Sequence, residues 1–339
     1  MTEPKVAIAT TTINIPHALG LMRVCDPFVH FFVAGDRKTP IDAATFVNSI
    51  PNAHYIPPSG QDRWACSKLI GWDCIQRRNI AVLEALEWGA DIIVLWDDDN
   101  LPLDTNYFNH FVSCLAYPFN GPGVIGHDRW FDVGQLLRPI AKHRGFPYNV
   151  KPLWSVKPVT SAKVGVCAGL CLGDPDIDAV TRMAIGPEVH NVSELARSGI
   201  VVDPTTWTVF NSQNTAFVRE LASFMFMLPG VGRYDDIYAS LICQWAMRRK
   251  GLHVHFGQPF IWQSRNPHDL MRDLDQEVDG MHNVKSVAGQ LKGNLALSDE
   301  GREPSIRRAC EVLALWGLVP ARAVEAAGAW ERDIEKALG

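Results

Sequence analysis

The sequence predicts an α/β fold built on a parallel sheet. Three observations carry this reading. Short apolar runs rich in β-branched residues recur at 5–11, 28–34 and 92–95. Helix-compatible segments at 17–23 and 65–88 separate them, so the first hundred residues read β-α-β-α-β, an order that demands crossover helices between parallel strands. The 339 residues are 47% hydrophobic and 20% charged, enough for a sizeable core and unlike a disordered chain.

Each element has a local reason. The run at 5–11 reads as a strand and 17–23 as a short helix. The second strand, 28–34, ends at Gly35-Asp36-Arg37-Lys38. Residues 65–88 read as one helix, with Ile75, Asn79, Val82, Leu83 and Leu86 on one face and Gly89 as its stop. Ile92-Ile93-Val94-Leu95 is too short for a helix and apolar on both faces, as a fully buried strand is. Residues 101–210 are irregular and rich in Gly, Pro and aromatics, as in HRGFPYNVKP at 143–152, a texture that suits binding loops. Helical patterns return at 220–228 and 237–249. A strand at 252–256 carries His253 and His255, which alternate onto one side in structural roles. Two amphipathic helices at 304–315 and 320–338 each open near a Pro. The expected organisation is a catalytic domain at 1–290 and a helical extension at 291–339.

Several function classes are excluded or disfavoured. G-x-x-x-x-G-K-[ST] does not occur, and the one G-x-G-x-x-G, at 121–126, lies in the irregular stretch and not in the turn between a strand and a helix, so the P-loop and common dinucleotide readings are disfavoured. A formal net charge of −5 argues against nucleic acid as a partner. No apolar stretch approaches the roughly eighteen residues of a membrane span, and the start lacks the pattern of a secretory signal. The eight cysteines form no C-x-x-C pair and read as reduced thiols of a cytoplasmic protein.

The strand at 92–95 ends in Trp96-Asp97-Asp98-Asp99-Asn100. Three adjacent carboxylates repel one another unless a cation sits among them, and isolated buried charges are costly. Hard carboxylate oxygens suit Mn²⁺ or Mg²⁺, which bridges to substrate phosphates. The carboxyl end of a strand is where open α/β sheets bind ligands. Asp97 and Asp99 are the expected metal ligands, with Asp98 in support. Arg77 and Arg78, on the preceding helix, are candidates to fork onto phosphate oxygens, with a solvated helix face as the alternative. Asp176 and Asp178 in D-P-D-I-D would share a face if extended and could meet sugar hydroxyls, or cap a proline turn. Asp235 and Asp236 precede a helix, where carboxylates either cap or reach a sugar.

The acidic triplet at 97–99, R-G-F-P-Y at 144–148, G-L-C-L-G-D-P-D-I-D-A-V-T at 169–181 and G-R-Y-D-D-I-Y at 232–238 resemble, in order, the UDP-arabinopyranose mutases, or reversibly glycosylated polypeptides. Q-P-F-I-W-Q-S at 258–264 is similar as well. The resemblance runs over roughly residues 5–290. It implies a glycosyltransferase-A-like mixed sheet with flanking helices and a C-terminal helical extension. It also implies a divalent metal and a pyranose–furanose mutase acting on a nucleotide sugar of the GDP-L-fucose or UDP-L-arabinose type, with homo-oligomers as an option. Alternatives are a glycosyltransferase using a nucleotide-sugar donor and a non-catalytic nucleotide-sugar-binding subunit.

Residue by residue, the resemblance assigns Arg144 to the arginine at which the family becomes glycosylated. A guanidinium is a poor nucleophile, so Arg144 is either the attachment site or a clamp on diphosphate or sugar. Lys151 stands at the family's second basic position. Asp36 matches the acidic residue that contacts base or ribose, with an ordinary turn as the alternative, and Thr10, Thr11 and Asn14 are candidates for the same pocket. The acidic pair Asp235 and Asp236 would sit beside the anomeric centre. Gln263 stands where the family commonly has His, which makes His268 a candidate replacement ligand.

Overall fold

A computed structural model of the chain describes residues 3–186, 188–264, 269–295 and 303–339. Its strands are β1 (Val6–Thr12), β2 (His30–Gly35), β3 (Ala53–Ile56), β4 (Ile92–Trp96), β5 (Asn100–Pro102), β6 (Phe119–Gly126), β7 (Leu137–Arg138), β8 (Trp154–Gly173), β9 (Asn191–Val192), β10 (Ile200–Val202), β11 (Asn214–Val218) and β12 (Leu252–Gln263). Ten of them form one mixed sheet in the order β3-β2-β1-β4-β11-β8-β6-β10-β12-β5. The edge β3-β2-β1-β4 is parallel. At β11 the sheet turns antiparallel. The 20-residue β8 pairs with β6 along its first half and with β11 and β12 along its second.

The helices that flank this sheet are α1 (Ala18–Cys25), α2 (Ile41–Ser49), α3 (Ser67–Ile70), α4 (Arg78–Trp88), α5 (Tyr107–Ala116), α6 (Ala179–Ile185), α7 (Glu194–Ser198), α8 (Asp235–Arg249) and α9 (Leu270–Gln290), followed by Ile306–Leu315 and Ala321–Leu338. The architecture is glycosyltransferase-A-like: a mixed α/β sheet with helices on its faces. None of the described helices is long and apolar enough to cross a membrane.

The expected order β-α-β-α-β is present, with an additional α2 and β3 between the second and third expected strands. The single helix expected at 65–88 is divided into α3, a 3-10 turn at Ile75–Arg77, and α4. Gly71 and Asp73 explain the break: φ is 88° and 58°, left-handed values that a right-handed helix cannot accommodate. The pattern at 220–228 yields only a 3-10 turn, Arg219–Phe224. The strand expected at 252–256 continues to Gln263.

The two terminal helices pack into the main core. Trp330 is fully buried, stacks on Phe226 at 4.9 Å between ring centroids and donates Nε1–H to the Ser223 carbonyl at 3.0 Å. The Asp333 carboxylate accepts backbone N–H bonds from Ala65 (2.9 Å) and Cys66 (2.7 Å), tying the last helix to the segment before α3. Trp330→Ala is therefore expected to cost about 3–5 kcal/mol by urea denaturation, and truncation after Gly293 to lower the melting temperature. An unchanged unfolding midpoint for Trp330→Ala would place that helix outside the core.

Candidate functional site

The five residues of β4 are all buried between β1 and β11. At its carboxyl end the chain turns through the acidic triplet. The Asp97 N–H is held by the Gln213 carbonyl (3.1 Å), and Asn100 Nδ2 donates to the same carbonyl (2.8 Å). β5 then pairs with β12, which sets Asn100 opposite Gln263. The triplet does not act as a unit. Asp97 accepts from Arg78 Nη2 and lines a cleft of about 450 Å³ together with Asp99. Asp98 turns the other way and accepts from the Thr12 hydroxyl. Burial is the main force raising its carboxyl, against that hydrogen bond.

Gln263 lines the same cleft and is 4% exposed. Its Oε1 is buried without a hydrogen-bond partner among the described residues. Buried amide oxygens are rarely left unpaired. With Asp97 and Asp99 it gives the cleft floor a donor set made only of hard oxygens.

In the same cleft, a charged network surrounds Arg144, which is 7% exposed. Its Nε and Nη2 donate to the two Asp176 oxygens at 2.8 and 2.7 Å. The other edge donates to Asp236 at 3.2 Å and to the Arg233 carbonyl. Burial alone would lower Arg144, but Asp176 and Asp236 outweigh it and hold the guanidinium well above its ordinary pKa. Asn211 Nδ2 supports Asp176 (3.0 Å) and the Ser212 N–H supports Asp236 (3.0 Å). Ser212 joins the two halves of the site, because its carbonyl and hydroxyl also accept from Arg78 Nη1 at 2.6 and 3.0 Å.

Asp235 and Asp236 open α8, and neither caps it. Both line the cleft. Asp235 is 4% exposed and accepts from Gln76 Nε2 at 2.7 Å. Burial, reinforced by the neighbouring Asp236 charge, pushes its carboxyl up to about 7. A carboxyl poised near neutrality in a cleft is suited to proton transfer. Behind this wall Arg233 pairs with Glu277 (2.9 Å) and Asp273 (3.2 Å) of α9.

The structure thus brings Asp97, Asp99, Arg144, Asp176, Asp235 and Asp236 to one cleft, with Arg78 against it. Other sequence candidates lie elsewhere. Asp178 is the N-cap of α6, accepting from Thr181 N–H (2.8 Å) and Tyr148 O–H (2.6 Å), so it does not share a face with Asp176. The proline turn directs the two side chains apart. Arg77 is fully buried, with its N–H groups spent on Gln61, Ser67 and Gly71 and its plane over Trp72. That leaves no donor for phosphate. Asp36, 3% exposed, accepts backbone N–H bonds from Arg37, Asp73 and Cys74 at 2.7–3.0 Å and so fixes the loop before α4. Thr10 and Thr11 are buried and donate to the Trp96 and Ala34 carbonyls. Asn14 and Lys151 are exposed away from the cleft lining. His268 lies outside the described residues.

Sequence reasoning missed Gln76, Asn211, Ser212 and Gln213, neutral residues in a turn and a loop with no chemical signature. It also missed Asp273 and Glu277. Their i, i+4 spacing opposite Arg233 was the available signal.

No family model matches the chain. Over 144 residues it is 31% identical to UDP-arabinopyranose mutase 1 of Oryza sativa subsp. japonica, covering 41% of this chain and 36% of that protein. It is 29% identical over 145 residues to the probable UDP-arabinopyranose mutase 2 of Solanum tuberosum, covering 41% and 37%. It is 29% identical over 144 residues to UDP-arabinopyranose mutase 3 of Arabidopsis thaliana, covering 41% and 37%. The chain therefore spans little more than a third of the length of these curated relatives, and its similarity is to proteins named for a nucleotide-sugar mutase.

Proposed function

We propose that this cleft binds a nucleotide sugar and interconverts its pyranose and furanose forms, with a substrate of the UDP-L-arabinose or GDP-L-fucose type. The observation that carries the reading is the meeting of two groups in one cleft: the hard oxygens of Asp97, Asp99 and Gln263, and Arg144 with Asp176, Asp235 and Asp236. The similarity to UDP-arabinopyranose mutases supports it.

The oxygens fit a Mn²⁺ or Mg²⁺ ion by their chemistry, and the buried Gln263 Oε1 is an acceptor that a cation would satisfy. Asp97, Asp99 and Gln263 would hold it. When bound, the ion neutralises charge building on the departing diphosphate. The remaining steps belong to the chain. Arg78, paired to Asp97, adds positive charge at the diphosphate end. Asp176 and Asp236, aligned by Arg144, accept hydrogen bonds from sugar hydroxyls and fix the ring. Their negative charge stabilises the oxocarbenium-like C1 left when the C1–O bond breaks. Asp235 takes the proton from the hydroxyl whose oxygen bonds to C1; the original ring C1–O bond then breaks, its oxygen receives that proton from Asp235, and the diphosphate oxygen re-forms its bond to C1.

Thermal shift with UDP- and GDP-sugars tests binding, because a ligand of the folded state raises the melting temperature by mass action. A Mn²⁺-dependent shift is expected in the wild type and not in Asp99→Ala, whose turnover should fall at least about a hundredfold. Full turnover of the wild type after exhaustive EDTA treatment would contradict the metal assignment.

A further inference from the structure

We propose a second metal site, outside the cleft, in which Cys114, Cys167 and His255 bind Zn²⁺ through two thiolates and one imidazole. The three residues come from α5, β8 and β12. Their Sγ, Sγ and ring nitrogen atoms all lie within 4.8 Å of one another, the one such set of three His, Cys, Asp or Glu side chains among the described residues. Cys167 Sγ is 3.4 Å from His255 Nδ1, close to the separation of two ligands on a tetrahedral zinc, where the metal–sulfur and metal–nitrogen distances are about 2.3 and 2.0 Å.

The register of the sheet creates the cluster: parallel pairing of β12 with β8 sets His255 directly beside Cys167. The imidazole has little freedom to leave. A Cβ placed on Gly199 would lie 2.4 Å from His255 Nε2, and the Phe119 ring packs edge-on against it at 5.3 Å between centroids. Ligands on rigid elements with restrained rotamers are what a preformed site requires.

The charge balance also fits. Cys167 is fully buried and His255 is 6% exposed, so two bare thiolates there would be costly. Zn²⁺ with two thiolates and a neutral imidazole carries no net charge. Zinc binding requires both thiols as thiolates, so it releases their protons. A cavity of about 180 Å³ lined by Cys114, His255, His110 and Arg197 adjoins the cluster and gives the ion an entry path. Two sulfurs and one nitrogen select zinc over the hard ions suited to the cleft.

The test uses the whole chain, reduced, treated with chelator and desalted, then titrated with Co²⁺ as a spectroscopic stand-in for zinc. A thiolate-to-cobalt band in the near ultraviolet is expected to saturate at about one equivalent per chain and to be displaced by Zn²⁺. Asp99→Ala should keep the band, which separates this site from the cleft. Cys114→Ser should lose it and bind zinc at least about tenfold more weakly in competition with a chromophoric chelator. A second measurement needs no variant: zinc should protect Cys114 from alkylation while Cys25, partly exposed elsewhere, still reacts. Absence of the band in reduced wild type, equal alkylation with and without zinc, or a Cys114–Cys167 disulfide persisting under reductant would each overturn the proposal.

Discussion

Arg144→Lys is expected to lose at least about tenfold in kcat/KM, on the order of 1.4 kcal/mol of transition-state stabilisation. The native guanidinium makes a two-point fork on Asp176 while its other edge reaches Asp236. An ammonium keeps the charge but cannot hold both carboxylates in plane. Arg144→Met removes the charge as well and leaves two carboxylates facing each other in a largely buried site. That variant should lose about 3–5 kcal/mol of stability, read as a lower denaturant midpoint. The two chemical roles of Arg144 separate by mass spectrometry. A covalent sugar on the guanidinium adds one sugar mass to the peptide containing residues 143–151, with a hydrogen-bonded carboxylate in place to take the proton. A purely orienting Arg144 gives no adduct, and the Lys variant is still slow. Wild-type turnover by Arg144→Lys would remove this residue from the site.

The second large effect belongs to Asp235. Its carboxyl is held up to about 7 by burial and by the Asp236 charge. Acting as base on the ring-closing hydroxyl, it must be ionised, so activity should fall as the pH drops below about 7. Asp235→Asn should lower kcat about 10²–10⁴-fold and abolish that acidic limb. Asn still accepts from Gln76, so the fold should persist. Stability moves in the opposite sense. A carboxyl whose folded pKa is raised contributes fully below its unfolded value of about 4 and loses that contribution as the pH rises through about 7. Asp235→Asn should flatten this loss. An acidic limb unchanged in Asp235→Asn would assign the titration to another group.

Much of the fold was legible because the hydrophobic pattern coincides with burial. The strand before the acidic triplet is apolar and wholly buried, and α8 and the terminal helices sit close to where their periodicity puts them. The failures share a cause. The first half of α9 turns Asp273 and Glu277 inward to meet Arg233, so its buried face is charged there and apolar only from Val284 on, too short a stripe for periodicity to find. The first half of β8 is largely exposed and contains Pro158, so it reads as loop. At the site, charged residues announced themselves, but their partners did not. Arg77 and Arg78 are adjacent in sequence, but one ends the 3-10 turn and the other opens α4, so their side chains diverge. One is spent on a loop and the other reaches Asp97, a distinction that only three dimensions supply. Gln263 stood out in sequence only as a departure from the family's His. The structure adds that its oxygen is buried at the cleft without a hydrogen-bond partner among the described residues.

The central claim is intramolecular ring exchange, and it is tested by offering the purified chain a single nucleotide sugar with Mn²⁺ and no acceptor. UDP-L-arabinopyranose and GDP-L-fucopyranose are incubated separately, and the anomeric region is followed by NMR. The account predicts that one of them yields its furanose isomer with the nucleotide still attached, and that the furanose run in reverse reaches the same equilibrium mixture. Free nucleotide diphosphate that appears only when an acceptor sugar is added, with no furanose formed, would contradict it and make the chain a glycosyltransferase.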